Sequence, residues 1–236
     1  MTLENIASVT AGQIMTRVTA DKDAGNQVVE NVKVLVPKAI VSGVIVKEDL
    51  GKAELGKQID EEKYTHEGDV VIKLSTPYDA AYVNEENAGI AIPSFCAAIR
   101  ITDNDKMDAM YLTAFLNSSY VRDELTAKVV GSARPMIKIT DIRALEVPEL
   151  NMKDMQDIGK AFVLSGLKKA TLQEMIDNET KLMENVVLAS IKEGIGNEMS
   201  DWALGCRALK QGWKVAALKE SYLRIYINHG GIRMSD

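Results

Sequence analysis

The chain has 236 residues, with 28 Lys and Arg against 34 Asp and Glu and a net charge of −6. Hydrophobic residues make up 46% and charged residues 26%, a balance that excludes a disordered chain, a collagen-like repeat and a disulfide scaffold, and the length suits one or two domains. No apolar run reaches the length of about eighteen residues that a membrane span needs, and residues 1–13 lack the basic start and apolar stretch of a secretory signal.

Charge is unevenly spread. Residues 1–150 hold 16 basic and 23 acidic side chains, a net of −7; residues 151–236 hold 12 and 11, and within them 201–236 hold 6 and 3. An acidic balance argues against binding nucleic acid by bulk charge, so any such binding must come from a local stripe or from partners. Cys96 and Cys206 make neither a metal spacing nor a disulfide framework, and a reducing cytoplasm is the simplest compartment.

From the N-terminus, runs rich in β-branched residues predict strands at 32–36, 40–46, 69–74 and 95–101, with turn-rich pieces at 21–26 and 84–89 between them. Residues 105–118 predict a helix. Asp105 can cap it, and Met107, Tyr111 and Phe115 recur at i, i+4 and i+8 beside Leu112 and Leu116. More helix is expected at 121–127, and Gly131-Ser132-Ala133-Arg134-Pro135 then breaks regular structure. Residues 1–150 thus form a mixed α/β or α+β domain closed by Pro148.

Asn151 is a plausible N-cap, with Asp154 in the favourable first turn. From 152 to 193 there is no proline, and the glycines are Gly159 and Gly166. Apolar residues recur at three- and four-residue steps: Met155, Ile158, Phe162, then Leu172, Met175, Leu182, Val186 and Ala189, with Glu179 interrupting the seam. A helix of that length spans roughly 60 Å, which predicts a coiled coil or projecting hairpin arm over 151–194. Its stripe needs a second helix, from this chain or another copy. Gly194-Ile195-Gly196 ends the arm, and 195–236 predict a short basic helical tail in which Trp202, Leu209, Trp213, Leu218 and Tyr222 oppose Arg207, Lys210, Lys214 and Lys219. Residues 228–236 are expected to fray.

Several chemistries are absent. There is no G-x-G-x-x-G, Walker loop or H-E-x-x-H, and no Asn/Asp-Pro-Pro-aromatic loop of an amine methyltransferase. His66 and His229 have no evident serine or cysteine partner and read as surface residues. Glu61-Glu62-Lys63 matches the Glu-x-Lys end of a Mg²⁺-dependent nuclease motif, with Asp49 or Asp60 as the nearest further carboxylates; a solvated charge run is the better reading. In Gly68-Asp69-Val70-Val71-Ile72-Lys73-Leu74-Ser75-Thr76-Pro77-Tyr78 a turn opens a strand that ends in hydroxyl residues, a proline and a tyrosine. Lys73, Ser75, Thr76 and Tyr78 present donors for phosphates or base edges, or else form an ordinary polar turn.

In order along the chain, Leu3 to Ile6 with Ala11-Gly12-Gln13 and Arg17, then Gly68-Asp69-Val70-Val71-Ile72, Ile92-Pro93-Ser94, Tyr111-Leu112 with Phe115-Leu116-Asn117-Ser118, Gly131-Ser132, Ile139, Ile142, Val147-Pro148, and Gln156 with Ile158 resemble the specificity subunit of type I restriction–modification enzymes. The resemblance covers about residues 1–193. It implies a target recognition domain that reads one half of a split duplex DNA sequence, and a long helix that acts as a spacer. It implies no catalytic activity and no cofactor on this chain. Adenine methyltransferase and restriction subunits would be partners and would carry S-adenosylmethionine, ATP and Mg²⁺. Family members usually hold two recognition domains and two arms, so one domain here implies a half-length form that pairs as a homodimer, or a truncated product.

For DNA contact the resemblance and the residue types favour Arg17, Lys73, Ser75, Thr76, Tyr78, Arg134 and Lys138. Arg17 fits a guanine edge, a phosphate or a surface ion pair; Tyr78 fits contact or core; Gln13 fits adenine or a turn cap; Ser132 fits a phosphate or a tight turn. Arg100 is expected to pair with Asp103. The remaining alternatives are a coiled-coil adaptor that never touches DNA and a small nuclease using Glu61 and Lys63.

Overall fold

The structure is a computed structural model that describes residues 1–20, 27–129 and 136–195. The chain runs β1 (Ala7–Ala11), β2 (Glu30–Val34), β3 (Ile40–Val41), β4 (Val44–Ile45), β5 (Gly51–Leu55), β6 (Val70–Lys73), β7 (Ala80–Tyr82) and β8 (Cys96–Ile101), then the helices α1 (Ala109–Leu116), α2 (Ser119–Val129), α3 (Ile139–Arg143) and α4 (Met152–Ile195). It divides into two compact units, Met1–Gln173 and Glu174–Asp236. The helical tail expected beyond 195 lies outside the described residues.

At the centre of the first unit is an antiparallel sheet in the order β1-β8-β6-β7. All four residues of β6 are buried, which explains why Val70-Val71-Ile72 are apolar in succession rather than alternating with polar residues. Side chains alternate between its faces. Val70, Ile72, Ala80, Ala97 and Ile99 face one core with Leu112, Leu116, Leu125 and Ile142 from the helices. Val71, Ala81, Ala98 and Cys96 face a second core with Leu35, Ile40 and Ile45. The pairs Ala80-Ala81 and Ala97-Ala98 thus put small residues on both faces, and each is at most 1% exposed.

The apolar run 40–46 is not one strand. It folds into the β3–β4 hairpin around Ser42-Gly43, whose φ angles of 48° and 92° give the left-handed backbone of a two-residue turn. β1, β5 and β7 add strands that the pattern did not announce. α1 begins later than expected because Asp108, not Asp105, caps it: its Oδ1 accepts from the Tyr111 amide at 2.8 Å. Asp103 instead holds the preceding turn, accepting from the Asp105 amide at 3.1 Å.

α4 has 44 residues, or about 66 Å. Asn151 Oδ1 accepts from the Asp154 amide at 2.9 Å, as the N-cap reading anticipates. Met155 is buried in the helix-side core. Gly159 lies against α1, where a Cβ would meet the Tyr111 nitrogen and come within 2.7 Å of the Met110 carbonyl carbon. Phe162 covers Gly43, and a Cβ on Gly166 would collide with the Ser42 carbonyl oxygen. The root of α4 therefore packs on α1 and the β3–β4 turn, within the first compact unit, Met1–Gln173. No helix of the described residues is long and apolar enough to cross a membrane.

Candidate nucleic-acid interface

The sheet register gathers loops at one rim. Ala11 pairs with Ala97 and Lys73 with Cys96, so the segments after β1, after β6 and before β8 leave the sheet at the same end. Backbone bonds hold them together there. Gly12 donates to the Cys96 carbonyl (3.0 Å), Gln13 to Ile92 (2.7 Å) and Leu74 to Phe95 (2.8 Å). Residues 136–137 join this rim: Ser75 bridges Met136, and the Ile137 amide donates to Leu74 at 2.9 Å.

Ser75 is half-buried and Thr76 exposed in a turn closed by Tyr78 N–H donating to the Ser75 carbonyl at 2.9 Å. Lys138 is exposed where α3 begins, and its amide is held by Asp141 at 2.9 Å. Gln13 is half-buried, and its side chain donates to the Ile14 carbonyl at 3.2 Å. Ser75, Thr76 and Lys138 are thus brought together, with Gln13 on the same rim. Arg17 is exposed elsewhere, at the start of a segment that runs along β5. Arg134 and Ser132 lie outside the described residues.

Lys73 and Tyr78 are placed inward. Lys73 is buried, with its ammonium 2.8 Å from Asp79, and Asp79 also accepts from Arg122 at 2.7 Å. Tyr78 is 1% exposed, and among the described residues its hydroxyl has no hydrogen-bond partner. The alternating period explains both. Lys73 ends a fully buried strand, and the backbone of Tyr78, at φ 58°, turns its ring back into the helix-side core.

Arg100 pairs with Asp69, not Asp103. Its Nε lies 3.1 Å from both carboxylate oxygens, and its Nη2 donates to the Tyr64 carbonyl at 2.7 Å. Register decides this: Ile99 opposes Val70, so Arg100 emerges beside the preceding residue, while Asp103 binds Lys106 at 2.7 Å. That signal was open to a strand-pairing argument but not to sequence proximity.

The Glu61-Glu62-Lys63 segment is a single 3-10 turn. Lys63 binds Glu62 at 2.6 Å and donates to the Ala11 carbonyl at 3.1 Å, and Glu61 meets His66 at 3.1 Å. The Lys63 hydrogen bond, and then its charge, hold the Glu62 carboxyl below the usual range. Among the described residues no three His, Cys, Asp or Glu side chains are grouped to hold a metal ion. Burial pushes the Cys96 thiol up to about 12, which keeps it protonated and unreactive. What this surface presents among the described residues is hydroxyls, an amide and the Lys138 ammonium, the donors that phosphates and base edges accept from.

No family model matches the sequence, and no curated protein does. Solved structures do match. The HsdS subunit from Thermoanaerobacter tengcongensis aligns with a TM-score of 0.53 and 18% identity over 80% of this chain. The chain carries an HsdS-like fold. A chain from a structure of the assembly and conformational transition of the type I R-M system aligns equally well, with a TM-score of 0.54 and 18% identity over 81% of this chain. Each alignment covers 48% of the other chain, so the HsdS-like chain spans about half the length of these neighbours.

Proposed function

We propose that this chain is a sequence-recognition subunit of a type I restriction–modification system. The observation that carries this is the likeness to an HsdS subunit over 80% of the chain. In this reading the head binds one half of a bipartite duplex target, with Arg17, Ser75, Thr76 and Lys138 facing the DNA and Arg134 as a further contact residue. Lys73 and Tyr78 hold the 74–79 loop from behind. The chain carries out no chemistry itself. Adenine methyltransferase and restriction subunits are its partners, and S-adenosylmethionine, ATP and Mg²⁺ act on those partners. α4 pairs with a second copy through Leu172, Met175, Ile176, Met183 and Val186, all exposed, and so supplies the other half-site reader.

Electrostatics supports an assembly rather than a lone binder. Duplex affinity comes mostly from phosphate neutralisation, and a chain of net −6 supplies little of it. Two linked readers gain through effective concentration. The test is a gel shift on a randomised duplex pool with the adenine methyltransferase subunit present. The wild-type complex selects a bipartite sequence, and Thr76→Ala or Arg17→Ala relaxes or weakens that selection, each good base contact being worth about 1–3 kcal/mol. A complex that forms yet binds every duplex equally rules the reading out.

A further inference from the structure

The β2–β5 ladder has two unlike faces. Inward, Val32, Val34 and Leu55 are buried with Val18 and Ala91. Outward, the register sets Lys33 directly opposite Lys52 and Asn31 opposite Glu54, around a shallow depression of about 550 Å³. Lys33 and Lys52 are both exposed. Like charges opposed across a ladder repel and weaken it.

Lysines elsewhere on the head are neutralised. Lys38 sits on Asp49, Lys47 on Glu86, Lys63 on Glu62, Lys106 on Asp103 and Lys128 on Glu124, all within 3.0 Å. Six described cations of residues 1–150 have no such partner among the described residues: Arg17, Lys33, Lys52, Lys57, Lys138 and Arg143, the last donating instead to the Val9 carbonyl at 2.8 Å. Two of these six, Lys33 and Lys52, face each other on this ladder. Glu54, on the outward face, is itself not free. A chain that is acidic overall has thus set two lysines opposite each other on one sheet face, with no ion-pair partner for either among the described residues.

We propose that Lys33 and Lys52 form a short basic track that grips the phosphate backbone of duplex DNA without regard to base sequence. An anion between Lys33 and Lys52 turns their repulsion into attraction to a shared group. A two-stranded ribbon also has the width that the major groove admits. The inference rests on reading the head as a duplex binder, and it assigns the sequence-independent part of that binding to a surface separate from the Ser75–Thr76 rim.

The experiment measures binding of the full chain to random-sequence duplex DNA by fluorescence anisotropy, from about 50 to 200 mM salt. Lys33→Gln/Lys52→Gln should lower affinity on the order of tenfold and reduce the slope of log affinity against log salt by about 2, one counterion for each phosphate contact. Lys38→Gln/Lys47→Gln removes the same charge from paired lysines and should leave the slope nearly unchanged. The ladder variant should also melt no lower than wild type, since it loses a repulsion. If both double variants change the slope equally, the track is refuted while duplex binding stands. If the wild-type chain binds no duplex even at the lowest salt, the track is refuted, while the proposed function still turns on the selection shown by the complex with the methyltransferase subunit.

Discussion

Residues 152–173 and 174–191 belong to one helix, yet they differ in what they bury. In the first stretch Met155, Gly159 and Gly166 are buried, with Phe162 half-buried over Gly43. In the second every side chain is exposed except half-buried Leu182, although Met175, Ile176, Met183, Val186, Val187 and Ile191 are apolar. At 3.6 residues per turn, Met155, Gly159 and Gly166 fall within about 40° of one another, and the Leu172–Val186 stripe is centred roughly 130° away. Large apolar residues alone therefore do not mark the docked face of α4, where Met155 and Phe162 sit among the glycines. Glycines mark it, because only a bare backbone lets the helix approach α1 and the β3–β4 turn so closely. The large residues mark the face still in need of a partner, since a helix this long cannot bury its own stripe.

The difference can be broken most forcefully on the docked side. Gly159→Val with Gly166→Val drives two side chains into backbone, and stability to chemical denaturation should fall by about 4 kcal/mol, overpacking costing about 1–3 kcal/mol per site. A loss under about 1 kcal/mol would mean that the root of α4 is not seated as described. On the other side, Leu172, Met175, Ile176 and Met183 can all be changed to Gln. Unfolding of the head should barely shift, while the sedimenting mass drops from near twice 25.9 kDa to the single-chain value. Each apolar side chain removed from such a seam forfeits about 1.5–3 kcal/mol. A wild-type chain that stays single at high micromolar concentration contradicts the pairing. The smallest effect is expected at Tyr78→Phe. It removes a buried hydroxyl with no partner among the described residues, so stability should hold or rise by up to about 1 kcal/mol, with DNA affinity unchanged. A drop in affinity would return Tyr78 to the contact surface.

The same contrast explains which parts were legible. The 152–193 helix and the strands β6 and β8 have long, pure patterns, and the structure places them within two residues of expectation. β5, Gly51–Leu55, was hidden because its outward residues are Lys52 and Glu54, and β7 because Ala80-Ala81-Tyr82 carries little β signal. The hairpin at 40–46 was hidden because β3 and β4 are both apolar and Ser42-Gly43 is a short interruption. Of the proposed contact residues, Ser75, Thr76 and Lys138 were readable as polar groups beside a strand end. Their meeting was not readable, because it depends on Met136 folding back to bridge Ser75. Lys73 and Tyr78 misled because a donor on a strand end looks alike from either face until the register is known. The basic face at Lys33 and Lys52 was invisible for the same reason: residues nineteen apart become neighbours only through the β2–β5 pairing.

The alanine pairs of β7 and β8 have a bearing on how such a protein can diversify. With a methyl group on each side of the sheet, the layers above and below leave no latitude at the centre, and a single larger residue there would lever both apart. The rim loops and the outward ladder face are under no such restriction. A lineage acquiring a new target would therefore keep its small central residues fixed and accumulate change at the margins, and aligned relatives with different targets should differ by that geography.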